Sequence, residues 1–299
     1  MILIAGATGF VGRHLVKRLV AEGERPRCLV RSQEKAKQVL PLDQVDLAIG
    51  DTTRLDTLAA AMQGVDTLVQ SAFLTADLKE HGSNTYDNVN VLGTKHLVAA
   101  AKDAGVKKMV VVSGLGTKPD KPGSYMQGRY LAEQQVKESG LAWSIIQPSI
   151  QFGEQAAFFK GLADLIRMAP VVPVIGTPKR KFQPIWVEDV ITCLIKQIKE
   201  DSRSGKTYVV GGPEIFTYGE ILAMLAERLE KRRLNAPTPI PLVQIGAAVM
   251  QAVLPRPPIT TAALTLFRFE NTTDIDAVER DFGFKPMSWR AYLAEHGVD

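Results

Sequence analysis

Cysteine is nearly absent from this sequence, with two in 299 residues, Cys28 and Cys193. Each stands in an apolar run, where a free thiol behaves as a small buried hydrophobe. Two cysteines so far apart supply neither a disulfide framework nor a metal-ligand spacing. Histidine is as scarce: His14, His81, His96 and His296 form no H-x-H or H-E-x-x-H pattern, so no metal site is expected. No charge of one sign dominates, since 36 Lys and Arg against 32 Asp and Glu leave +4. The short basic clusters Lys179-Arg180-Lys181 and Lys231-Arg232-Arg233 are dispersed rather than gathered on one element, which argues against a nucleic-acid binder. They read as solvated surface, and a mild positive field suits a ligand with several phosphates. Long apolar runs are missing too. The longest, about Ile240 to Leu254, contains Gln244 and Gln251 and falls short of the ~20 residues of a bilayer-spanning helix. Met1 leads straight into Ile2-Leu3-Ile4-Ala5, without a charged lead region or cleavage pattern. The expectation is a soluble, cytoplasmic protein with no repeats, no low-complexity tracts and ordinary material for a core.

What the sequence does have is rhythm. Strand-like runs at Ile2–Ala5, Arg27–Val30, Asp46–Ile49, Thr67–Gln70, Lys108–Val112 and Trp143–Gln147 alternate with helical patterns at Val11–Ala21, Glu34–Leu40, Leu55–Met62, Asn88–Ala104 and Gly128–Ser139. Regular β-α alternation predicts a doubly wound parallel α/β sheet of Rossmann type. Continuous apolar strands such as Met109-Val110-Val111-Val112 fit a sheet covered on both faces. After Pro148 the rhythm changes. Phe158–Arg167, Val187–Ile198 and Tyr218–Lys231 read as helices, Val171–Ile175 and Thr207–Val210 as strands, and Pro237, Pro239 and Pro241 break the pattern. The predicted organisation is a dinucleotide-binding domain over 1–150, with later contributions from about 183–212, and a small C-terminal α/β substrate lobe over 151–299 interleaved with it.

The first strand runs into Gly6-Ala7-Thr8-Gly9-Phe10-Val11-Gly12. In such a G-x-x-G-x-x-G loop the first glycine permits the tight turn. The second lets backbone approach a pyrophosphate, and the third lets the helix pack on the sheet. The helix start then offers bare N–H groups and a positive dipole end. Gly6, Thr8, Gly9, Phe10, Val11 and Gly12 are therefore the predicted phosphate cradle. A cofactor that is NAD usually meets an acid about 20 residues past this loop. Here Arg31-Ser32 stand at the end of the second strand, with Lys35 following, and a guanidinium suits a 2′-phosphate, so NADP(H) is favoured over NAD(H). Arg31 can equally stack on adenine or solvate the surface. Asp51-Thr52 end the third strand, where the acid can accept from the adenine amino group or cap the next helix. Ser71-Ala72-Phe73 end the fourth, where small residues allow close approach to the adenosine ribose and the phosphates.

The glycine loop, Asn90-Val91-Leu92-Gly93-Thr94, Ser113-Gly114, Tyr125 to Glu133, Gln147-Pro148-Ser149, Phe182 to Val190 and Phe282 to Pro286 together resemble the extended and atypical short-chain dehydrogenase/reductases. Within them the chain is most similar to the branch of the NmrA-like proteins and the NAD(P)H-binding accessory subunit of respiratory complex I. The resemblance spans nearly the whole chain. It implies a sheet of about seven strands and a small substrate lobe, with the nicotinamide beside Ser113, Tyr125, Pro148 and Ile150. It also implies a Ser–Tyr–Lys set in which Tyr exchanges a proton with the substrate oxygen, Lys holds the ribose and Ser bonds the oxygen. The matching segment is Tyr125-Met126-Gln127-Gly128-Arg129, so Arg129 stands in the Lys place. Arg keeps the charge one helical turn from Tyr125 but differs in shape and bulk. Two readings follow. Tyr125, Arg129 and Ser113 form a modified catalytic set that reduces a carbonyl or quinone-like compound, or the cofactor serves an accessory or redox-sensing role without turnover. Tyr130, with Gln134 one turn on, is a poorer candidate.

In the lobe, Phe152, Phe158, Phe159 and Met168 predict an apolar pocket with no acidic or histidine pair, which disfavours a nucleotide-sugar epimerase or dehydratase. Leu242, Ile245, Val249 and Val253 fall on one helical face ahead of Pro255-Arg256-Pro257-Pro258. That face is expected to pack over the pocket, with docking on a protein partner or a membrane surface through 241–254 as the alternative.

Overall fold

The computed structural model describes residues 1–200, 204–254 and 259–298. The first half alternates as its periodicity dictates: β1 (Ile2–Ala5), α1 (Phe10–Ala21), β2 (Arg27–Val30), α2 (Gln33–Lys37), β3 (Asp46–Ile49), α3 (Ala59–Met62), β4 (Thr67–Gln70), α4 (Gly93–Asp103), β5 (Lys108–Val112), α5 (Tyr125–Lys137) and β6 (Ala142–Pro148). There follow β7 (Gln151–Phe152), α6 (Ala157–Met168), β8 (Val171–Ile175), β9 (Lys181–Phe182), β10 (Ile185–Trp186), α7 (Val187–Lys199) and β11 (Lys206–Val210). The chain continues through β12 (Phe216–Thr217), α8 (Tyr218–Arg228), β13 (Leu234–Thr238), α9 (Ile240–Val253), α10 (Ala277–Phe282) and α11 (Trp289–His296).

A seven-stranded sheet runs β11-β6-β5-β4-β1-β2-β3. Its pairings from β6 through β3 are parallel, with Leu3 opposite Leu68 and Arg27, and Met109 opposite Trp143. This is the doubly wound α/β order. The chain steps outward from β1 to β3, then returns to the other side of β1 with β4, which makes the β1/β4 boundary the switch point where such sheets bind ligands. Because helices cover both faces, the central strands β1, β4 and β5 are largely apolar and buried. Leu3, Ala5, Leu68, Met109, Val111 and Ile145 bury one face together with Leu97 and Ala101 of α4. On β2, burial with a contribution from Asp46 pushes the Cys28 thiol up to about 12, so it is an inert core residue.

Contacts divide the chain into two compact units. The first comprises Met1–Leu74, Glu80–Gln147 and Val190–Tyr208, and the second Thr75–Lys79, Pro148–Asp189 and Val209–Asp299. The second is built on small pairings, β7 with β10, β9 with β12 and β8 with β13, around an aromatic cluster of Phe158, Phe182, Tyr218 and Phe267. Among the described residues no helix is long and apolar enough to cross a membrane, and no cluster of acid, cysteine or histidine side chains is placed to hold a metal.

Several local expectations are corrected. The helix predicted over 55–62 divides into a 3-10 turn (Leu55–Thr57) and α3. There the Thr57 hydroxyl donates to Arg54 O at 2.7 Å and accepts from Asp51 N–H at 2.9 Å, competing with helical bonding. The long helix over 88–104 begins as a π-helix, Tyr86–Leu92, before α4. Helix α5 starts at Tyr125 rather than Gly128, because Ser124 caps it by accepting from Gln127 N–H at 3.2 Å. The proline-broken region holds β13, which runs through Pro237 beside β8. In a two-stranded ribbon each strand is an edge, where proline is tolerated. Met168, assigned to an apolar pocket, is instead 83% exposed. Leu242, Ile245, Val249 and Val253 do share one side of α9, yet that side faces outward, and Ala247 is the residue the helix buries. The run Pro255-Arg256-Pro257-Pro258 lies outside the described residues.

Candidate dinucleotide site

The loop after β1 is shaped by backbone crowding. Gly6 has φ +88°, and a Cβ there would lie 2.6 Å from Ala72 N, so β1 and β4 bring their loops together at the switch point only because residue 6 is glycine. A Cβ on Gly12 would lie 2.0 Å from Gly6 O, against the returning turn. Gly9 differs: it is exposed, and its Cβ would meet only Gly6 O at 3.2 Å. Gly9 N–H donates to Gly6 O at 2.9 Å, and Gly9 is the N-cap of α1 with no side-chain cap. No acid occupies the first turn. The helix start thus keeps its positive end uncompensated beside Thr8, Phe10, Val11 and Gly12, as a diphosphate requires.

Around this cradle the other strand ends are ordered by local bonds. Arg31 is exposed, and its Nη1 donates to Asn84 Oδ1 at 3.1 Å. Ser32 caps α2 by accepting from Lys35 N–H, while the Lys35 side chain is exposed. Asp51 does not cap the following helical turn. It accepts from the N–H and hydroxyl of Thr53 at 2.9 and 2.8 Å. Thr52 is buried, and its carbonyl accepts from His96 Nδ1 at 3.0 Å. Ser71 Oγ donates to Ala5 O at 2.9 Å, tying the β4 end to β1 beneath Ala72 and Phe73.

Helix α5 brings the remaining residues to the same unit. Arg129 is 6% exposed, and its guanidinium carbon lies 4.9 Å from the Phe73 ring centroid and 5.1 Å from that of Tyr125. Tyr125 in turn meets Tyr86 edge-on at 5.5 Å. The guanidinium also borders Gly114, whose added Cβ would lie 3.8 Å from it. Its Nε and Nη1 are buried without a hydrogen-bond partner. Glu133, one turn further and equally buried, is no partner: its oxygens are engaged by Gln147 Nε2 at 2.8 Å and Lys137 Nζ at 3.4 Å. A buried cation with two unbonded nitrogens fits a ligand rich in hydroxyl or phosphate oxygens. Ser113 is buried at the end of β5, and its Oγ lies 3.3 Å from Thr117 Oγ1. Pro148 and Ile150 fall in the second unit, where Ile150 N–H donates to Asn271 Oδ1 at 2.8 Å.

Sequence reading missed three contributors. Asn90, fully buried in the π-helix, accepts from Leu74 N–H at 2.7 Å and donates to Leu74 O at 3.1 Å, fixing the backbone just past Phe73. The wider turn of a π-helix commonly marks such positions. Asn84 orients Arg31, and Thr117 faces Ser113. Glu133 was readable, since Tyr125, Arg129 and Glu133 are spaced by fours along one helix stripe.

A family profile described as NAD(P)H-binding matches residues 6–155, the span from the first cradle glycine past β6. The chain belongs to this NAD(P)H-binding family. Among the proteins similar to this chain, an NAD(P)H azoreductase of Xenophilus azovorans is 32% identical over 234 residues, covering 76% of this chain and 73% of that protein. The mitochondrial NADH dehydrogenase [ubiquinone] 1 alpha subcomplex subunit 9 of Arabidopsis thaliana is 24% identical, covering 93% of this chain and 69% of that protein. The fold is also that of an NADPH-dependent quinone oxidoreductase from Escherichia coli, solved as a complex with NADPH. The TM-score is 0.75, with 19% identity and 99% of each chain covered.

Proposed function

We propose that this chain is an NADP(H)-dependent reductase of a carbonyl or quinone-like small molecule. The observation that carries the reading is Arg129, a buried guanidinium with two unbonded nitrogens set between Phe73 and Tyr125. When bound, the reduced nicotinamide supplies a hydride, and the chain does the rest. Amides at the start of α1 bind the pyrophosphate. Arg31 and Lys35 bind the 2′-phosphate through charge-assisted bonds, with Ser32 fixing the turn between them. Asp51 and Thr52 serve the adenine, and Ser71, Ala72 and Phe73 the adenosine ribose and phosphates. Arg129 donates to ribose hydroxyls and packs its guanidinium on the Tyr125 ring, which it holds in place. Tyr125 delivers the proton to the substrate oxygen, and Ser113 donates a hydrogen bond to it. The azoreductase relative supports the reductase reading. A cytoplasmic location, in keeping with two free cysteines, belongs to the same proposal.

The test is turnover. Purified protein is mixed with NADPH or NADH and a panel of azo dyes, quinones and carbonyls, and loss of the reduced nicotinamide is followed. At least one acceptor should turn over, NADPH should be preferred, and Tyr125→Phe should lower kcat by about 100-fold or more. Tight NADPH binding with no turnover of any acceptor would favour a second reading, a non-catalytic accessory protein. That reading draws on the complex I relative and on Arg129 in the place the resemblance gives to Lys. Interconversion of UDP-sugars would overturn both.

A further inference from the structure

We infer that α9 is a membrane-surface element that seats the second unit on anionic lipid. From Leu234 to Leu254 the chain carries no charged residue. On α9, Leu242, Ile245, Val249 and Val253 are between 59% and 70% exposed and recur at three- and four-residue steps, so they form one outward stripe. The helix has two polar side chains, and one of them, Gln251, is engaged by Thr261 N–H at 2.8 Å. Single exposed aliphatics are ordinary, whereas a contiguous stripe marks a contact surface. A second exposed apolar patch lies at the opening of β8 and β13, the ribbon that leads into α9. Met168 precedes β8, and the paired residues Val171 and Leu234 open β8 and β13 with exposed side chains. Immediately before Leu234 stand Lys231 and Arg232, both exposed, and Arg233, whose Nε donates to Ile166 O at 2.7 Å and ties the run to the end of α6.

The occupant is lipid rather than a second copy of the chain. Fourteen helical residues span about 21 Å and present a strip about 10 Å wide. That is roughly 200 Å², about a quarter of the ~800 Å² each partner gives a standard protein interface. The stripe also lacks hydrogen-bonding groups to fix a register. A fluid apolar layer under phosphate headgroups needs no register, and exposed cations beside an apolar face are what it attracts.

The experiment is flotation of the full chain with vesicles of phosphatidylcholine alone and of phosphatidylcholine mixed with phosphatidylglycerol. The wild type should partition onto the mixed vesicles. Ile245→Glu/Val249→Glu, confined to exposed positions and checked by thermal melting, should lose at least about tenfold of that partitioning. Lys231→Gln/Arg232→Gln should lose roughly thirtyfold on mixed vesicles and almost nothing on neutral ones. Both variants should bind NADPH as the wild type does, which separates this inference from the reading of the cofactor site. Absence of flotation, flotation unchanged in both variants, or a lipid-free dimer in sedimentation velocity that Ile245→Glu/Val249→Glu disperses would overturn it.

Discussion

Two helices of this chain begin in opposite ways. Helix α8 opens on a closed capping box, in which Thr217 Oγ1 accepts from Glu220 N–H at 3.2 Å and Glu220 Oε2 accepts from Thr217 N–H at 2.7 Å. Its terminal groups are satisfied from within. Helix α1 opens on a glycine, with no cap and no acid in its first turn. The same division recurs along α5, where Glu133 is buried with partners and Arg129 is buried with two nitrogens unbonded. Helix α8 and Glu133 are internally complete, whereas α1 opens without a side-chain cap and Arg129 keeps two buried nitrogens unbonded. On the proposed function, the contrast separates groups that stabilise the chain by themselves from groups whose stabilisation waits for a ligand.

Substitutions can break this contrast. The largest effect is expected at the cradle. Gly12→Val places a branched side chain where even a Cβ lies 2.0 Å from Gly6 O, so ligand-free melting should report a loss of about 3 kcal/mol or more. Gly9→Val, at an exposed position where a Cβ meets only Gly6 O, tightly at 3.2 Å, should cost about 1 kcal/mol of ligand-free stability, well below Gly12→Val, while calorimetric affinity for NADPH falls at least tenfold. Equal losses of stability would erase the distinction. Next come the two buried charges of α5. Arg129→Met should leave ligand-free stability unchanged or raise it by about 1–4 kcal/mol, since an unpaired buried charge is removed, yet weaken NADPH binding. Glu133→Gln should instead cost about 1.5–3 kcal/mol without a comparable loss of affinity. Thr217→Ala opens the box on α8 and should cost about 1 kcal/mol in a urea titration, with NADPH affinity untouched.

The smallest effect concerns Asp66, where hydrogen bonds from the Met1 ammonium and Lys107 hold the carboxyl down at about 2. A carboxyl depressed on folding stabilises fully above its ordinary value of about 3.9, and that contribution fades as pH falls toward about 2. The urea midpoints of wild type and Asp66→Asn should therefore differ at neutral pH and converge across that window.

Part of this was legible in the sequence because it depends on few atoms. The cradle glycines are dictated by where a Cβ can go, and the β-α alternation by which faces are covered, so β1 through β6 follow closely; the sheet of about seven strands is what the family resemblance implies. The outward stripe of α9 shows where such reading ends. Periodicity tells which residues share a side of a helix and says nothing of which way that side turns. Pro237 stopped the strand reading at β13 because edge pairing depends on a distant partner, Val174, on β8. The family resemblance marks Arg129 as a candidate, since it stands in the Lys place. That its nitrogens lack partners depends on Gln147 and Lys137 having taken Glu133, which no local pattern reveals.

The strand order has one consequence for how the chain can be made. Strand β11 lies at the sheet edge beside β6, though some 60 residues separate them in sequence. A chain cut after the first 150 residues would carry the whole nucleotide cradle, but the flank of β6, with Ile145 and Ile146, would be bare. An unpaired apolar edge is a template for adding further copies of itself. Truncated expression of the amino-terminal half should therefore yield inclusion bodies, and during synthesis the ribosome must release residues 206–210 before that flank can be sealed.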